Sequence, residues 1–244
     1  AAAGHAALVL GDDLRAASAL ERCARIAEEL GPRETYVQAV VNLGVCFVEI
    51  DPARAVPWLE KGVAATDDLP ESGAGALVEY RFNALSLLGQ AHHHRMDFPA
   101  AIAAYERAVT LEPRLPGRRR MDVALMQRSL GQIRLGLGLH QAAYDAYAAS
   151  EQLCRKAGRP GQAEISRGGC GAALISLGRE AEAVVVLEEV VAFLRENEAP
   201  VAVTVDNLGT LALAYEGVDR IDDADAAFEE ALALAAVAGR DERV

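Results

Sequence analysis

Apolar residues recur at helical spacing, three or four positions apart, along most of the 244-residue chain. Segments with this spacing alternate with short polar turns such as "RMDF" at 95–98 and "GRE" at 178–180. Apolar residues at this period share one face of an α-helix, and a short turn returns the chain antiparallel to the helix before it. The pattern therefore predicts antiparallel helix pairs and no β-sheet.

The same set of packing positions recurs along the chain. A small residue is followed 11 or 12 positions later by an alanine, and a larger residue comes four positions after the alanine. The last two lie one turn apart on the same helix face, and the small residue lets a neighbouring helix approach closely. The small residues are Gly4, Gly44, Gly89, Gly131, Gly171 and Ala212, and the alanines are Ala16, Ala55, Ala101, Ala143, Ala183 and Ala224. A single helix pair cannot bury its apolar face, so successive pairs must stack.

One stretch carries nearly the whole pattern. Residues 87–113, "LLGQAHHHRMDFPAAIAAYERAVTLEP", read L-G-x2-[large]-x8-A-x3-[aromatic]-x2-A-x4-P from Leu88 onward. This resembles the tetratricopeptide repeat (TPR) family, in a variant longer than the usual 34 residues that is similar to kinesin light chains, Leu-Gly-Asn scaffolds and bacterial regulators. The resemblance implies an all-α, right-handed superhelical solenoid of about six helix-turn-helix repeats.

The repeats predict a single solenoid over residues 1–244, with exposed loops at 67–76 and 112–120. The end of the chain, "AGRDERV", resembles "LGPRETY" at 30–36 and predicts the opening of another first helix. We therefore expect a fragment of a larger bacterial protein. The repeats cover approximately residues 1–30, 34–66, 77–113, 119–157, 161–197 and 199–238.

Charge and cysteine usage restrict the partners and the compartment. The chain has 36 acidic and 24 basic residues and a net charge of −12, which argues against nucleic acid and anionic membranes as partners. No apolar run approaches the roughly 20 residues of a membrane-spanning helix. Four scattered cysteines favour buried thiols in a reducing cytoplasm, with Cys23, Cys46 and Cys170 at packing positions.

Three consecutive histidines, His92, His93 and His94, raise the alternative of a metal-dependent enzyme. Adjacent helical residues point about 100° apart, whereas chelation from one helix needs i,i+3 or i,i+4 spacing. The spacing therefore argues against one metal ion bound by all three. The resemblance implies that His92 packs against the second helix and that His93 and His94 lie where first helices line a concave groove. No catalytic residue, metal or cofactor is predicted.

Two further clusters have competing interpretations. Gly168, Gly169 and Gly171 fall inside a predicted helix, where each costs about 0.8–1 kcal/mol relative to alanine. Tight helix packing is the favoured reason, and a flexible point or close approach of a ligand backbone is the alternative. The acidic pairs at 188–189 and 229–230 are interpreted as solvating the outer face of second helices.

The resemblance implies that first helices line a concave groove for a protein or peptide. Asn and Gln suit an extended backbone because an amide both donates and accepts hydrogen bonds. The groove residues predicted by register are Gln38, Asn42, Glu49, Asn83, Ser86, Gln90, His93, His94, Arg128 and Gln132. Repeats five and six are expected to supply mostly small or apolar groove residues: Ile165, Ala172, Ile175 and Leu213.

The predicted function is a non-enzymatic protein- or peptide-binding scaffold, acting as an interaction or regulatory arm of its parent protein. Its ligand could be another domain of that parent. The alternatives are a peptide-sensing domain of a bacterial transcriptional or signalling regulator, and self-association through the array ends.

Overall fold

The computed structural model describes residues 13–31, 33–67 and 75–241. The predicted Gly4, the side chain of Ala16 and most of the 67–76 loop lie outside the described part of the chain.

The described chain is α-helical. Its α-helices are α1 (Asp13–Leu30), α2 (Arg33–Phe47), α3 (Pro52–Ala64), α4 (Ala76–His94), α5 (Phe98–Val109), α6 (Arg120–Gly136), α7 (His140–Lys156), α8 (Pro160–Ser176), α9 (Glu180–Glu196), α10 (Val201–Gly217) and α11 (Ile221–Asp241). Two 3₁₀ turns, Glu112–Arg114 and Gly117–Arg119, stand where the 112–120 loop was expected. The prediction of an all-α helical repeat is confirmed.

The chain divides into two compact units, with the boundary between Arg119 and Arg120. In the first unit each helix from α1 to α5 packs on the next, and α2 also contacts α4. In the second unit each helix from α6 to α11 packs on the next, and α8 contacts both α6 and α10. Each unit therefore stacks helix pairs through their first helices. A single solenoid over residues 1–244 stays a prediction.

Small residues on first helices receive large side chains from second helices, as the repeat pattern predicted. A Cβ atom added to Gly89 would lie 2.5 Å from the Tyr105 ring, and one added to Gly131 would lie 2.8 Å from the Tyr147 ring. These separations are too short for real atoms, so only glycine fits. The contacting pairs are Gly44 with Leu59, Gly89 with Tyr105, Gly131 with Tyr147, and Gly171 with Leu187.

The repeat alanines lie where helices touch. Ala101 and Ala143 are fully buried, at 0% exposure, as predicted from the register. The alanines at positions 55, 183 and 224 are buried too, at 0%, 0% and 1%. Any larger side chain at these positions would push two helices apart.

The turns between paired helices repeat a backbone conformation as well. Met96, Gly138, Gly178 and Asp219 have φ angles of 60°, 75°, 71° and 62° in the left-handed region. The turn in the third repeat is completed by Asp97, whose side chain accepts a hydrogen bond from the Ala100 backbone N–H at 3.3 Å and caps α5.

The last helix differs from the sequence-based expectation. Helix α11 continues through Asp241. Residues 238–241 thus extend the second helix of the last pair, and the prediction that a new first helix opens at 238 is wrong for these residues.

The four cysteines are free thiols, and three are buried. Cys46 and Cys170 are 2% and 4% exposed, which confirms their predicted packing role. Cys154 is 1% exposed and joins them. Cys23 is only partly buried, on the surface of the first unit's hydrophobic core, so its predicted shielding is incomplete. Burial raises the pKa of the Cys170 thiol to about 12.

Within residues 13–31, 33–67 and 75–241, no helix is both long enough and apolar enough to cross a membrane.

The glycine contacts generate a stability prediction. Gly131→Ala should lower the free energy of unfolding, because overpacking costs about 1–3 kcal/mol and the gain in helix propensity offsets at most about 1 kcal/mol. The matched control is Gly209→Ala in α10, where an added Cβ meets no atom within 4 Å. That variant should be stabilised by about 0.5–1 kcal/mol. Urea unfolding measures both, and equal shifts would contradict the contact.

The cysteine environments predict an order of thiol reactivity. Under native conditions a maleimide should label Cys23 first, and Cys46, Cys154 and Cys170 only at the rate at which the protein opens. Mass spectrometry of peptides from timed samples resolves the four rates. Rapid labelling of Cys170 would contradict its burial.

Candidate ligand-binding cleft

A cleft of about 610 Å³ opens on the first helices of the second unit. Helices α6, α8 and α10 supply its walls, and Tyr147 reaches it from α7. The lining residues are Leu125, Arg128, Ser129, Gln132, Tyr147, Gln162, Ile165, Gly168, Gly169, Ala172, Val203, Asp206, Asn207 and Thr210. This volume falls within the range that suits a small ligand or a short peptide segment.

The lining follows the repeat register. Relative to the small residues Gly131, Gly171 and Ala212, most lining positions lie six, three or two residues before, or one residue after. In α6 these are Leu125, Arg128, Ser129 and Gln132; in α8 they are Ile165, Gly168, Gly169 and Ala172; in α10 they include Asp206 and Thr210. The helix face that lines the cleft is thus the same in three successive repeats.

The cleft includes some predicted groove residues and not others. Arg128 and Gln132 line it, as do Ile165 and Ala172. Ile175 instead packs against a hydrophobic cluster of the second unit, and Leu213 is 51% exposed without lining the cleft.

The expectation of mostly small or apolar residues fits repeat five, which supplies Ile165, Gly168, Gly169 and Ala172 to the cleft, but not repeat six, which supplies mainly polar residues. Gln162, Asp206, Asn207 and Thr210 line the cleft and were not predicted. The register offered a signal for two of them, because Asp206 and Thr210 occupy the same positions relative to Ala212 as Leu125 and Ser129 do relative to Gly131.

Arg128 is held in the cleft by a neutral partner. Its Nη1 donates to the Gln162 Oε1 at 2.9 Å, which links α6 to α8. Among the side chains that the structure describes, no carboxylate lies within ion-pairing distance of the Arg128 guanidinium. In the same unit five other arginines do pair with carboxylates: Arg155, Arg167, Arg179, Arg195 and Arg220.

Tyr147 belongs both to the core and to the cleft. Its ring fills the space beside Gly131, and a Cβ on Gly169 would lie 2.5 Å from the same ring. Burial raises the pKa of the Tyr147 hydroxyl to about 12, while the charge of Arg128 acts in the opposite direction. The hydroxyl therefore stays a proton donor at physiological pH.

The glycines in the cleft floor are explained by packing. Gly168 faces the side-chain oxygen of Asn207, Gly169 faces Tyr147, and Gly171 faces Leu187. A Cβ at any of them would overlap the facing side chain, which supports the packing interpretation. Gly168 and Gly169 also line the cleft.

In the first unit three predicted groove residues come together. The Gln90 Nε2 donates to the Glu49 Oε1 at 2.5 Å. The His94 Nδ1 lies 3.2 Å from the Val48 carbonyl oxygen and 4.0 Å from the Glu49 Oε2. Glu49, Gln90 and His94 thus form one polar cluster between α2 and α4.

The other predicted groove residues of the first unit lie apart from this cluster. Asn83 accepts a hydrogen bond from Arg119, and Gln38 hydrogen-bonds the Tyr80 hydroxyl. Asn42 and Ser86 are partly exposed on α2 and α4. A continuous strip from these residues to Arg128 and Gln132 stays a prediction, because they belong to different units.

The three consecutive histidines have three separate environments. His92 is largely buried, with its Nδ1 3.5 Å from the Asp97 Oδ2. His93 meets the Phe98 ring edge-on at 5.8 Å between centroids, and His94 faces Val48 and Glu49. No group of three His, Cys, Asp or Glu side chains is arranged to hold a metal ion anywhere in the described ranges.

The acidic pairs on second helices do more than solvate a surface. The Glu188 Oε1 accepts hydrogen bonds from the Tyr215 hydroxyl at 2.9 Å and from Arg220 at 3.1 Å. The Glu230 Oε1 accepts one from the Arg195 Nε at 2.9 Å. The Glu188 and Glu230 side chains are 42% and 37% exposed, as expected for acids that solvate a surface, and they also link neighbouring repeats.

Comparison with solved structures supports a helical repeat fold. The chain is similar to BtubC (BKLC) from P. vanneervenii, with a TM-score of 0.69 and 17% identity over 93% of this chain and 92% of that chain. It is also similar to a kinesin light chain from P. anserina with nearly identical TPR-like repeats, with a TM-score of 0.64 and 20% identity over 86% and 100% of the two chains.

A third similar structure contains a ligand. It is a Rap protein complexed with competence and sporulation factor, with a TM-score of 0.51 and 10% identity over 97% of this chain and 74% of that one. No protein-family profile matches the chain, and no curated protein matches its sequence.

The protein is thus an all-α repeat protein built from stacked helix pairs. Its fold is similar to that of solved proteins with TPR-like repeats, as the motif at residues 87–113 indicated.

The raised pKa of Tyr147 predicts a pH dependence. The unfolded chain loses the Tyr147 proton near pH 10 and the folded chain near pH 12. Between these values the folded state binds more protons, so stability should fall as pH rises through this window. Tyr147→Phe should make that fall smaller. Unfolding in urea at pH 8 to 12 measures the difference, and unchanged slopes would contradict the assignment.

Proposed function

We propose that the protein is a non-catalytic scaffold that binds an extended segment of a protein or a peptide in the cleft of its second unit. The observation that carries this proposal is the recurrence of the cleft lining at the same register on α6, α8 and α10. A surface made of equivalent positions on stacked helices is elongated across the stack, which suits an extended chain better than a globular ligand.

The chemistry of the lining supports recognition. Gln132, Gln162 and Tyr147 offer amides and a hydroxyl, the groups that hydrogen-bond a peptide backbone. The Ser129 hydroxyl donates to the Leu125 carbonyl of its own helix at 3.2 Å. Among residues 13–31, 33–67 and 75–241, no side-chain base is hydrogen-bonded to this hydroxyl, so nothing described there would activate it as a nucleophile.

The comparisons are compatible with this proposal. A Rap protein of the same fold has been solved with a bound factor. That structure also favours the second candidate function, a peptide-sensing domain of a larger bacterial regulator. The two candidates share the cleft and differ in whether ligand binding is transmitted to another domain.

Several finer predictions accompany the proposal. The first-unit groove residues, including the cluster of Glu49, Gln90 and His94, are proposed to contact a ligand as well. The acidic chain is expected to avoid nucleic acid and membranes and to act in the cytoplasm. Another domain of the parent protein, or a second copy stacked on an array end, remains a candidate partner.

A cleft-filling substitution tests the proposal. Ala172 lies in the lining, so Ala172→Trp should occupy the cleft and remove binding. The matched control is Ala192→Trp on α9, at an exposed position outside the lining. A random peptide library displayed on phage is selected on the wild-type protein, and the enriched peptides are measured on all three proteins by fluorescence anisotropy.

The proposal expects peptides that lose at least about tenfold in affinity, about 1.4 kcal/mol, on Ala172→Trp and keep wild-type affinity on Ala192→Trp. Circular dichroism melts confirm that both variants fold. If the enriched peptides bind Ala172→Trp as well as the wild type, or lose affinity only on Ala192→Trp, the cleft is not the binding site.

A further inference from the structure

The cleft contains a cation whose charge is not matched. The Arg128 guanidinium uses one N–H on the Gln162 amide oxygen and has no carboxylate partner among residues 13–31, 33–67 and 75–241. A guanidinium carries five N–H donors in a planar fork that suits a carboxylate. Arg167, one repeat further on, shows the usual arrangement in this protein, since it contacts both Glu164 and Glu189.

The opposite wall of the cleft contains an unmatched anion. Asp206 on α10 is exposed, and the described side chains include no cation paired with its carboxylate. Asp223 on α11 differs, because it is paired with Arg220 at 2.6 Å.

Neutral polar groups stand beside each of the two charged side chains. The Thr210 hydroxyl and the Asn207 amide on α10 donate to carbonyls of their own helix, both at 2.8 Å. The Thr210 hydroxyl hydrogen is therefore in use and its oxygen remains an acceptor beside Asp206. Asn207 keeps one amide N–H, and its side-chain oxygen packs against Gly168. Near Arg128, the Tyr147 hydroxyl and the Gln162 amide N–H groups remain available as donors. Donors thus stand beside the Arg128 guanidinium, and the Thr210 oxygen is an acceptor beside the Asp206 carboxylate.

The separation of the two walls sets the length of the ligand. Packed helices lie about 8–10 Å apart, so α6 and α10, with α8 between them, are separated by about 16–20 Å. An extended chain advances about 3.3 Å per residue, so about five or six residues cover this distance.

From these observations we infer that the cleft selects a segment of opposite charges at its two ends. A carboxylate binds at Arg128, and a lysine or arginine about five residues away binds at Asp206. This inference rests on the proposed function and adds the charge pattern of the ligand. The carboxylate can come from an acidic side chain or from the C-terminus of a chain, and the chemistry at Arg128 is the same for both.

Defined peptide pools test the inference. Peptides of about eight residues, acetylated and amidated, carry Glu and Lys about five residues apart, in both orders, with the remaining positions randomised. Three further pools replace Glu, Lys or both by Gln. A fifth pool replaces Glu by a free C-terminal carboxylate. Fluorescence anisotropy gives the apparent affinity of each pool for the wild-type protein.

The pool with both charges should bind about tenfold more tightly than either singly charged pool, since hydrogen bonds between charged groups are about twice as strong as neutral ones. Added salt should reduce that advantage. A higher affinity for the pool with a free C-terminus than for the pool with Glu identifies a terminal carboxylate as the ligand group. Equal affinities for these two pools show that an acidic side chain is sufficient for binding at Arg128.

Two conservative variants assign the charges to their residues. With Arg128→Gln, peptides with Glu should bind no more tightly than peptides with Gln in its place, while the gain in affinity from Lys remains. With Asp206→Asn, the gain from Lys should be lost and the gain from Glu should remain. Net-charge controls are Arg159→Gln and Asp225→Asn, exposed positions outside the cleft lining, and both should keep the wild-type preferences.

The outcomes separate this inference from the proposed function. If the pools bind in the cleft, as judged by their loss on Ala172→Trp, but with equal affinity, the charge pattern is overturned and the scaffold function stands. If Arg128→Gln still binds the Glu pools more tightly than the Gln pools, Arg128 does not bind the carboxylate. The inference is then overturned as well. If no pool distinguishes the wild type from Ala172→Trp, the proposed function itself fails.

Discussion

In four repeats, the pairing of the two helices depends on the contact between a glycine on the first helix and a large side chain on the second. At Gly89 and Gly131 the tyrosine ring lies where a Cβ atom would be. Because glycine leaves that space to the ring, the two helices approach closely at this point. The repeat alanines of these second helices, Ala101 and Ala143, are fully buried. These contacts fix the rotation of each first helix about its axis, and hence which of its residues point away from the second helix.

That rotation creates the cleft. When Gly131 faces α7, the residues six, three and two positions before it and the one after it face the cleft. These residues are Leu125, Arg128, Ser129 and Gln132. Tyr147 shows how closely the helix contact and the cleft are coupled, since its ring packs between Gly131 and Gly169 and the residue also lines the cleft. Binding and stability therefore share a residue, and a substitution there would change both.

The sequence predicted those features that depend on local periodicity and spacing. The helix pairs, the buried Ala101 and Ala143, and Arg128 in the lining follow from the register alone. The features it missed depend on the placement of side chains from neighbouring helices. Asp206 was overlooked because its helix is mostly apolar, and the contact of Glu188 with Tyr215 joins residues 27 positions apart. Whether an arginine has a carboxylate partner cannot be read from one helix at a time.

Electrostatics connects the overall composition to the proposed selectivity. With a net charge of −12, the protein repels anions at long range, and an acidic ligand gains nothing from the general field. At Arg128 the balance is local, because the guanidinium is partly buried and its only described partner is an uncharged amide. A carboxylate that reaches it gains a charged partner in a region of lower dielectric, whereas one that stays outside is repelled. Specificity is the difference between these two free energies, so an acidic surface makes a single unmatched arginine more selective than it would be on a neutral protein.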